Sequence, residues 1–496
     1  MAPALMRRAG QAIVLTALAN WLGMIGGIVS LIFVARMISP SDFGHFGMVL
    51  AIMALPDVLT SGSLNEVIIQ RRDLKSGHIN SVFVQSLLFA GVFWGCIQLG
   101  APWISRALGQ PEIAQLLQVF SIALFLGALL SLPAALLQRD LKYREITLID
   151  VLGTLTAAVV GIVLAHYLRN AWALVGMELS RRTVRTIGFV TLARWFPSFQ
   201  FTWDEMRDLT RFNAFNAMTK IIAAIEAAAP RGLIGMFLGP AALGMFNIAS
   251  RFLDQARLAF VAPFSAIALP VASQIQDDLP TLHRAMEGAT RLASLIAYPT
   301  FIGGAAIAPA AVPLMFGPQW QGAVQPIQIM MLMGLRAPAF ALNAGVLKSI
   351  GQVSWLLRIS FASTALAVAS VAITLPFSLN AVIWAIFLQQ TLIWILSAAV
   401  LQNLIHYPMR RQILAGTTAL IAALLMGGVV LFGGSMISPE VAPTAKLLTL
   451  IGLGGVSYVI FLVALDFRSA KIVSEALSLI VRGRAKEALQ IARKLS

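Results

Sequence analysis

The chain is poor in the residues on which most soluble chemistry depends. A single cysteine, Cys96, in 496 residues excludes an internal disulfide and any Cys-based metal centre. Charge is equally scarce: Asp, Glu, Lys and Arg supply 11% of the residues, against roughly 25% in ordinary soluble domains. So little polar surface could not cover the water-exposed cores that a chain of this length would form. No Gly-Lys dipeptide occurs, which rules out the phosphate loop G-x-x-x-x-G-K-[ST] of a nucleotide-driven motor, and H-E-x-x-H is missing too. The five histidines are too scattered to suggest a metal site, so no metal and no cofactor is expected.

What the chain has instead is apolar length. Hydrophobic residues make up 58% of it, and the mean hydropathy is +0.83. A bilayer core of about 30 Å needs about 20 apolar residues per helix. Breaks at charged or Pro/Gly clusters give about fourteen such segments. The first seven lie near 11–37, 43–68, 79–103, 113–137, 146–168, 171–195 and 209–235. The others lie near 241–268, 282–312, 322–347, 353–377, 380–404, 412–433 and 444–465. The expected fold class is an all-α polytopic membrane protein.

The net charge of +15 would suggest nucleic acid in a soluble chain, but in a membrane protein Lys and Arg report topology. With the N-terminus inside, sixteen of them, from Arg7 to Lys471, fall in cytoplasmic connections. Only Arg36, Arg106, Arg169, Arg231 and Lys446 fall outside. Ala17, Leu18 and Ala19 imitate a signal-cleavage pattern, yet the apolar run continues to Met37, which favours a retained first span. An even number of spans returns the C-terminus to the cytoplasm. There Arg482, Arg484, Lys486, Arg493 and Lys494 among apolar positions read either as an amphipathic helix on an anionic leaflet or as a solvated tail.

An internal repeat is visible at an offset of 200 residues. MISPSDFGHF at 37–46 matches FLGPAALGMF at 237–246, aligning Pro40, Phe43, Gly44 and Phe46 with Pro240, Leu243, Gly244 and Phe246. The cytoplasmic element at 69–74 likewise resembles 275–279. Spans 1–6 thus mirror spans 7–12 as parallel repeats about an axis along the membrane normal. The expected organisation is a six-helix lobe over 1–200, a second over 201–408, two extra spans over 409–466 and a basic tail over 467–496. Pro40 and Pro240 can start tight turns, while Gly44 and Gly244 permit close helix approach, so these four are turn or gate candidates.

Ionisable residues inside a span are costly and rarely face lipid, which makes each a candidate for function. Glu178, Arg181, Arg182 and Arg185 follow i, i+3, i+4, i+7 spacing on one helical face, about 10 to 21 Å deep at 1.5 Å per residue. Lys220, Glu226, Arg251, Asp254, Arg257, Arg291 and Arg336 lie within the second half's spans, with Glu287 beside them. The cations, Arg181, Arg182, Arg185, Lys220, Arg251, Arg257, Arg291 and Arg336, read as a basic cavity for an anionic headgroup, because guanidinium pairs well with phosphate oxygens. The competing reading is structural: Glu178 with Arg181 or Arg182, and Asp254 with Arg251 or Arg257, as struts. Coupling to a proton or sodium gradient would need a membrane-embedded carboxylate, for which Glu178, Glu226 and Asp254 are the candidates. Asp42, beside the first external turn, reads as a turn residue.

The segments VARMISPSDFGHFGM, IIQRRDLKSGHIN, LQRDLKYREITLIDVL, IGMFLGPAALGMFNIASRF, ALPVASQIQDD and FGPQW resemble the polysaccharide transporter family. This is the family of O-antigen and exopolysaccharide flippases within the multidrug, oligosaccharidyl-lipid and polysaccharide exporter superfamily. The resemblance implies two six-helix lobes in a V, plus two C-terminal helices. It also implies movement of undecaprenyl-pyrophosphate-linked oligosaccharide across the bacterial inner membrane by alternating access. The implied partners are that lipid-linked substrate, membrane lipids, a polysaccharide polymerase and glycosyltransferases, with no nucleic acid. Other readings are a peptidoglycan-precursor flippase or drug exporter of the same superfamily, a membrane-embedded glycosyl transferase, and a non-transporting scaffold. A drug exporter should have an apolar cavity with acidic sites, which the basic excess disfavours.

Overall fold

The computed structural model describes Gly23 and residues 25–62, 68, 76–194, 203–438 and 440–467. Most of the predicted first span before residue 25, the repeat element at 69–74 and the basic tail from 468 therefore lie outside the described residues. Among those described, every regular element is helical. In order they are α1 (Ile25–Met37), α2 (Pro40–Asp57), α3 (Ser76–Ala107), α4 (Glu112–Phe120), α5 (Ala123–Arg139), α6 (Tyr143–Leu168), α7 (Trp172–Ala193), α8 (Trp203–Phe260) and α9 (Ala262–Ile275). The remaining helices are α10 (Leu279–Phe316), α11 (Val324–Met333), α12 (Ala337–Ser349), α13 (Val353–Thr374), α14 (Leu379–Ile405), α15 (Met409–Leu414), α16 (Thr417–Met436) and α17 (Pro443–Leu465).

Eleven stretches among the described residues are long and apolar enough to cross a membrane. One of them, Met218–Phe260, is broken at Gly239 and so supplies two segments. With α1 and the arginine-bearing α7, the set reaches the fourteen expected from hydropathy. The outer surface is correspondingly apolar: Leu99, Trp103 and Phe377 are all more than 70% exposed, as lipid-facing side chains should be.

The turns follow local chemistry. Ser39 caps α2, its hydroxyl accepting the Asp42 backbone N–H at 3.1 Å, with Pro40 in the first turn where a missing N–H costs nothing. Gly239 breaks α8 at φ 84° and ψ 172°, a conformation open to glycine and strained for other residues, and Pro240 restarts the helix. Both members of the sequence repeat therefore begin a helix with proline. Gly317 has a similar backbone, φ 97° and ψ 166°, ahead of Pro318 at the end of α10.

The chain divides into two compact units, Met1–Gly244 and Met245–Ser496. In the first, α6 carries Gly153, Ala157, Gly161 and Ala165 on one buried face at four-residue spacing. Small residues at that spacing let helices approach closely in a membrane. α7 takes that opportunity: a methyl group on Gly153 would lie 2.9 Å from the Arg185 side chain, and one on Gly161 equally close to Met177. In the second unit α10, α16 and α17 share a core built around Tyr298, Ile302, Ala422, Met426 and Leu450.

Candidate functional site

The four ionisable residues of α7 do not stand alone. Glu178 accepts two hydrogen bonds from Arg181, from Nε at 2.9 Å and Nη2 at 2.7 Å, and a third from Arg182 Nε at 3.1 Å. Arg182 turns its remaining nitrogens to Asp57 at the end of α2: Nη1 donates to Oδ1 at 2.7 Å and Nη2 to Oδ2 at 2.9 Å. This is the bidentate geometry in which guanidinium binds carboxylate best. Arg185 Nε donates to Asp150 of α6 at 2.7 Å. The Arg182 guanidinium also lies 5.6 Å from the Phe120 ring centre, and that of Arg185 lies 5.9 Å from Phe189.

Three arginines thus meet three carboxylates, and α7 is locally close to neutral rather than strongly cationic. The i, i+3 and i, i+4 strut expected of Glu178 is present, and its extension to α2 and α6 is what the single-helix pattern missed. Asp57 and Asp150 are absent from the residues singled out in the sequence, although each is a carboxylate within an expected span, the signal applied to the others. Asp57 also sits where α2 passes into a π-helical turn, Val58–Gly62, and such turns recur at functional sites. There the Thr60 hydroxyl donates to Pro56 O at 2.9 Å and the Ser61 hydroxyl to Asp57 O at 2.6 Å, holding the widened turn.

The network is not fully consumed. Arg182 is enclosed, its side chain 17% exposed, whereas those of Arg181 and Arg185 are 41% and 30% exposed. Arg181 Nη1 and both terminal nitrogens of Arg185 make no hydrogen bond among the described residues. The arrangement combines one anchored arginine with two that offer free donors a helical turn apart.

The repeated turn motifs meet one another. A methyl group on Gly44 would sit 1.7 Å from the Pro240 carbonyl oxygen, and one on Gly244 would sit 1.9 Å from the Pro40 carbonyl oxygen. The contact is reciprocal: the glycine of each copy receives the proline carbonyl of the other.

The remaining sequence candidates are spread through the helices. Lys220 and Glu226 lie six positions apart in α8 before the Gly239 break, both half-buried. In the second unit Arg251, Asp254 and Arg257 follow one another at three-residue steps, Asp254 exposed and the two arginines half-buried. Arg291 of α10 donates to Asp466, just past α17. Arg336 donates to Gln390 of α14 and lies 5.7 Å from the Phe340 ring centre. An apolar cavity of about 480 Å³ also opens in this unit between α10, α16 and α17, lined by Gly303, Ile307, Met426, Val430, Gly454 and Tyr458 among others, with no charged residue.

Residues 33–325 match the family model described as polysaccharide biosynthesis protein. The succinoglycan biosynthesis transport protein ExoT of Rhizobium meliloti is 24% identical over 412 residues, 82% of each chain. The lipopolysaccharide biosynthesis protein WzxC of Escherichia coli is 24% identical over 311 residues, 62% of this chain and 63% of its own length. Among solved structures, the lipid II flippase MurJ in an inward closed conformation superposes with a TM-score of 0.75 at 14% identity, covering 91% of this chain and 98% of its own. An inward-facing multidrug resistance transporter of the MATE family gives 0.59 at 16% identity, covering 80% and 98%.

Proposed function

Because this chain belongs to the polysaccharide biosynthesis protein family and is a multi-pass membrane transporter, we propose that it flips a polyprenyl-pyrophosphate-linked oligosaccharide across the bacterial inner membrane for surface polysaccharide assembly. The observation that carries this reading is the arginine ladder of α7. Three guanidinium groups lie within a membrane-length helix, and two of them keep unused donors.

The chemistry required is specific. A pyrophosphate headgroup must leave water at one leaflet and cross hydrocarbon, where an uncompensated anion would be prohibitively costly. Arg181 and Arg185 supply replacement hydrogen bonds. Asp57, Glu178 and Asp150 keep the arginines tolerable in the membrane when no substrate is present, since each guanidinium then has a carboxylate partner. Substrate phosphate competes for the exposed donors, while the Arg182–Asp57 fork holds α7 against α2. Lys220, Arg251, Arg257, Arg291 and Arg336 extend the basic surface as contacts made at other stages of an alternating-access cycle. Glu178, Glu226 and Asp254 remain the carboxylates through which a proton or sodium ion would couple. The reciprocal Pro40, Gly44, Pro240, Gly244 contact serves as the gate at the external end. The uncharged cavity beside α10 suits the polyprenyl tail, which needs no polar partner. N- and C-termini are assigned to the cytoplasm, and the six-helix lobes to 1–200 and 201–408, from charge and repeat.

Deleting the gene in its host and scoring lipid-linked repeat units on each face of the inner membrane tests the reading. Accumulation on the cytoplasmic face, relieved by the intact gene and not by Arg181→Ala, is the expected result. Normal surface polysaccharide with no trapped intermediate would refute it and direct attention to the peptidoglycan precursor.

A further inference from the structure

We propose that Asp42, His45 and Glu112 form a binding site for a divalent metal ion of the zinc class at the end of the first unit that charge topology assigns to the exterior. One ligand atom from each of the three lies within 4.8 Å of the other two. The residues come from the first two turns of α2 and the first residue of α4, about 70 positions apart, so the arrangement is invisible to histidine spacing.

The imidazole supplies the strongest argument. His45 is buried, and its Nε2 lies 3.0 Å from the Gln110 Oε1, an oxygen that can only accept. Nε2 therefore carries the hydrogen, and the amide fixes the ring, as carbonyl and carboxylate groups do behind metal-bound histidines. In the neutral ring that leaves the Nδ1 lone pair facing the cluster. Nδ1 is enclosed and makes no hydrogen bond, although Glu112 Oε2 is only 3.1 Å away. A nitrogen lone pair and a carboxylate oxygen repel at that distance unless a proton or a metal ion lies between them, and the off-axis contact leaves the lone-pair direction open to a metal ion.

The other groups agree. Asp42 is held in place, accepting the Ser39 hydroxyl hydrogen at 2.5 Å on Oδ2 and the Ala171 N–H at 3.2 Å on Oδ1, with a lone pair left on each oxygen. Glu112 has a side chain that is 69% exposed and can rotate to close a coordination sphere of about 2.0–2.2 Å. One neutral imidazole and two carboxylates carry a formal charge of two minus, which a divalent cation cancels. The mixed nitrogen and oxygen donors favour zinc-class ions over calcium or magnesium, which prefer oxygen alone. Through Asp42 and its bond to Ala171, the ion would tie α2, α4 and the start of α7 into one rim.

The test uses the full chain, purified in detergent without a polyhistidine tag and stripped with chelator, titrated with zinc chloride by calorimetry and followed by thermal unfolding. The expected result is one ion per chain and a zinc-dependent rise in Tm. Glu112→Gln and His45→Gln should each weaken binding by about tenfold or more. Because Glu112 is exposed, its Gln variant should retain the metal-free Tm of the parent. His166→Gln, outside the cluster, should bind as the parent does. Zinc binding of equal strength in the parent and in both site variants would overturn the proposal, as would no binding, or a stability that follows pH but ignores zinc.

Discussion

Arg182 closes a fork on Asp57, with its terminal nitrogens 2.7 and 2.9 Å from the two carboxylate oxygens across 125 positions of sequence. The pair is largely enclosed, the side chains 17% and 29% exposed, so removing one member strands the other in a poorly solvated setting. Breaking a buried pair in this way costs about 3 kcal/mol. Asp57→Ala and Arg182→Ala should each lower the Tm of the detergent-solubilised protein markedly. The double variant should lose less than the two single losses added together. Strict additivity in that thermodynamic cycle would mean that the fork contributes no coupling.

Arg181 separates binding from folding. Its guanidinium is the more exposed partner of Glu178 and keeps one nitrogen unused, while Glu178 retains its bond from Arg182. Arg181→Ala should therefore change Tm little yet reduce transport of the lipid-linked oligosaccharide by about tenfold or more, the worth of one charge-assisted phosphate contact. Arg181→Lys should recover part of the rate, since charge survives and the paired geometry does not. Equal transport in all three proteins would remove Arg181 from the substrate path.

The glycine contacts make a prediction of opposite kinds for two alanines. Gly44→Ala would thrust a methyl group to 1.7 Å from a backbone carbonyl that cannot swing aside, so the contact between α2 and the restart of α8 should be lost. Reduced folded yield and abolished transport are expected. Gly91→Ala on α3, where an added methyl meets nothing within 4 Å, should be neutral or stabilising by up to about 1 kcal/mol from helix propensity. Comparing monodispersity and Tm of the two variants decides the matter.

Asp278 offers a pH test outside the membrane spans. It caps α10, and the Thr281 hydroxyl and backbone N–H, with the Arg284 charge adding, hold its carboxyl below its ordinary value. A depressed folded pKa means that the stabilisation is fully present above the unfolded value of about 3.9 and is lost as pH falls through the lower folded value. Asp278→Asn keeps a capping oxygen without the charge. The Tm difference between parent and variant should therefore be constant near neutrality and close below about pH 4. A difference that persists at lower pH would assign it to geometry rather than ionisation.

The legibility of the chain differs between fold and site. The span boundaries were readable because apolar runs and Pro/Gly breaks are local: 113–137 was expected where Glu112–Arg139 is found, and 353–377 where Val353–Thr374 is found. A larger discrepancy is the span expected at 241–268, which is broken after Phe260, where Pro263 in the first turn of α9 (Ala262–Ile275) starts a new helix, while Leu279–Phe316 runs only a few residues past the 282–312 expected from hydropathy. At the site, the single face of Glu178, Arg181, Arg182 and Arg185 was readable from helical spacing alone. Their partners Asp57 and Asp150 were not assigned, because which carboxylate meets which arginine depends on helix packing.

By itself the sequence determined that the chain crosses a membrane about fourteen times, that two stretches 200 residues apart start helices alike, and that arginines lie where lipid should be. Each of these follows from hydropathy, backbone chemistry or helical period, properties of neighbouring residues. The tertiary structure decided that the α7 arginines are neutralised by carboxylates from three helices, and that Gly44 and Gly244 receive each other's prolines. It also decided that His45 faces Glu112 and Asp42. Those facts depend on which helix faces pack together, and close packing is set by small residues such as Gly153 and Gly161, whose role appears only when the opposing helix is in place.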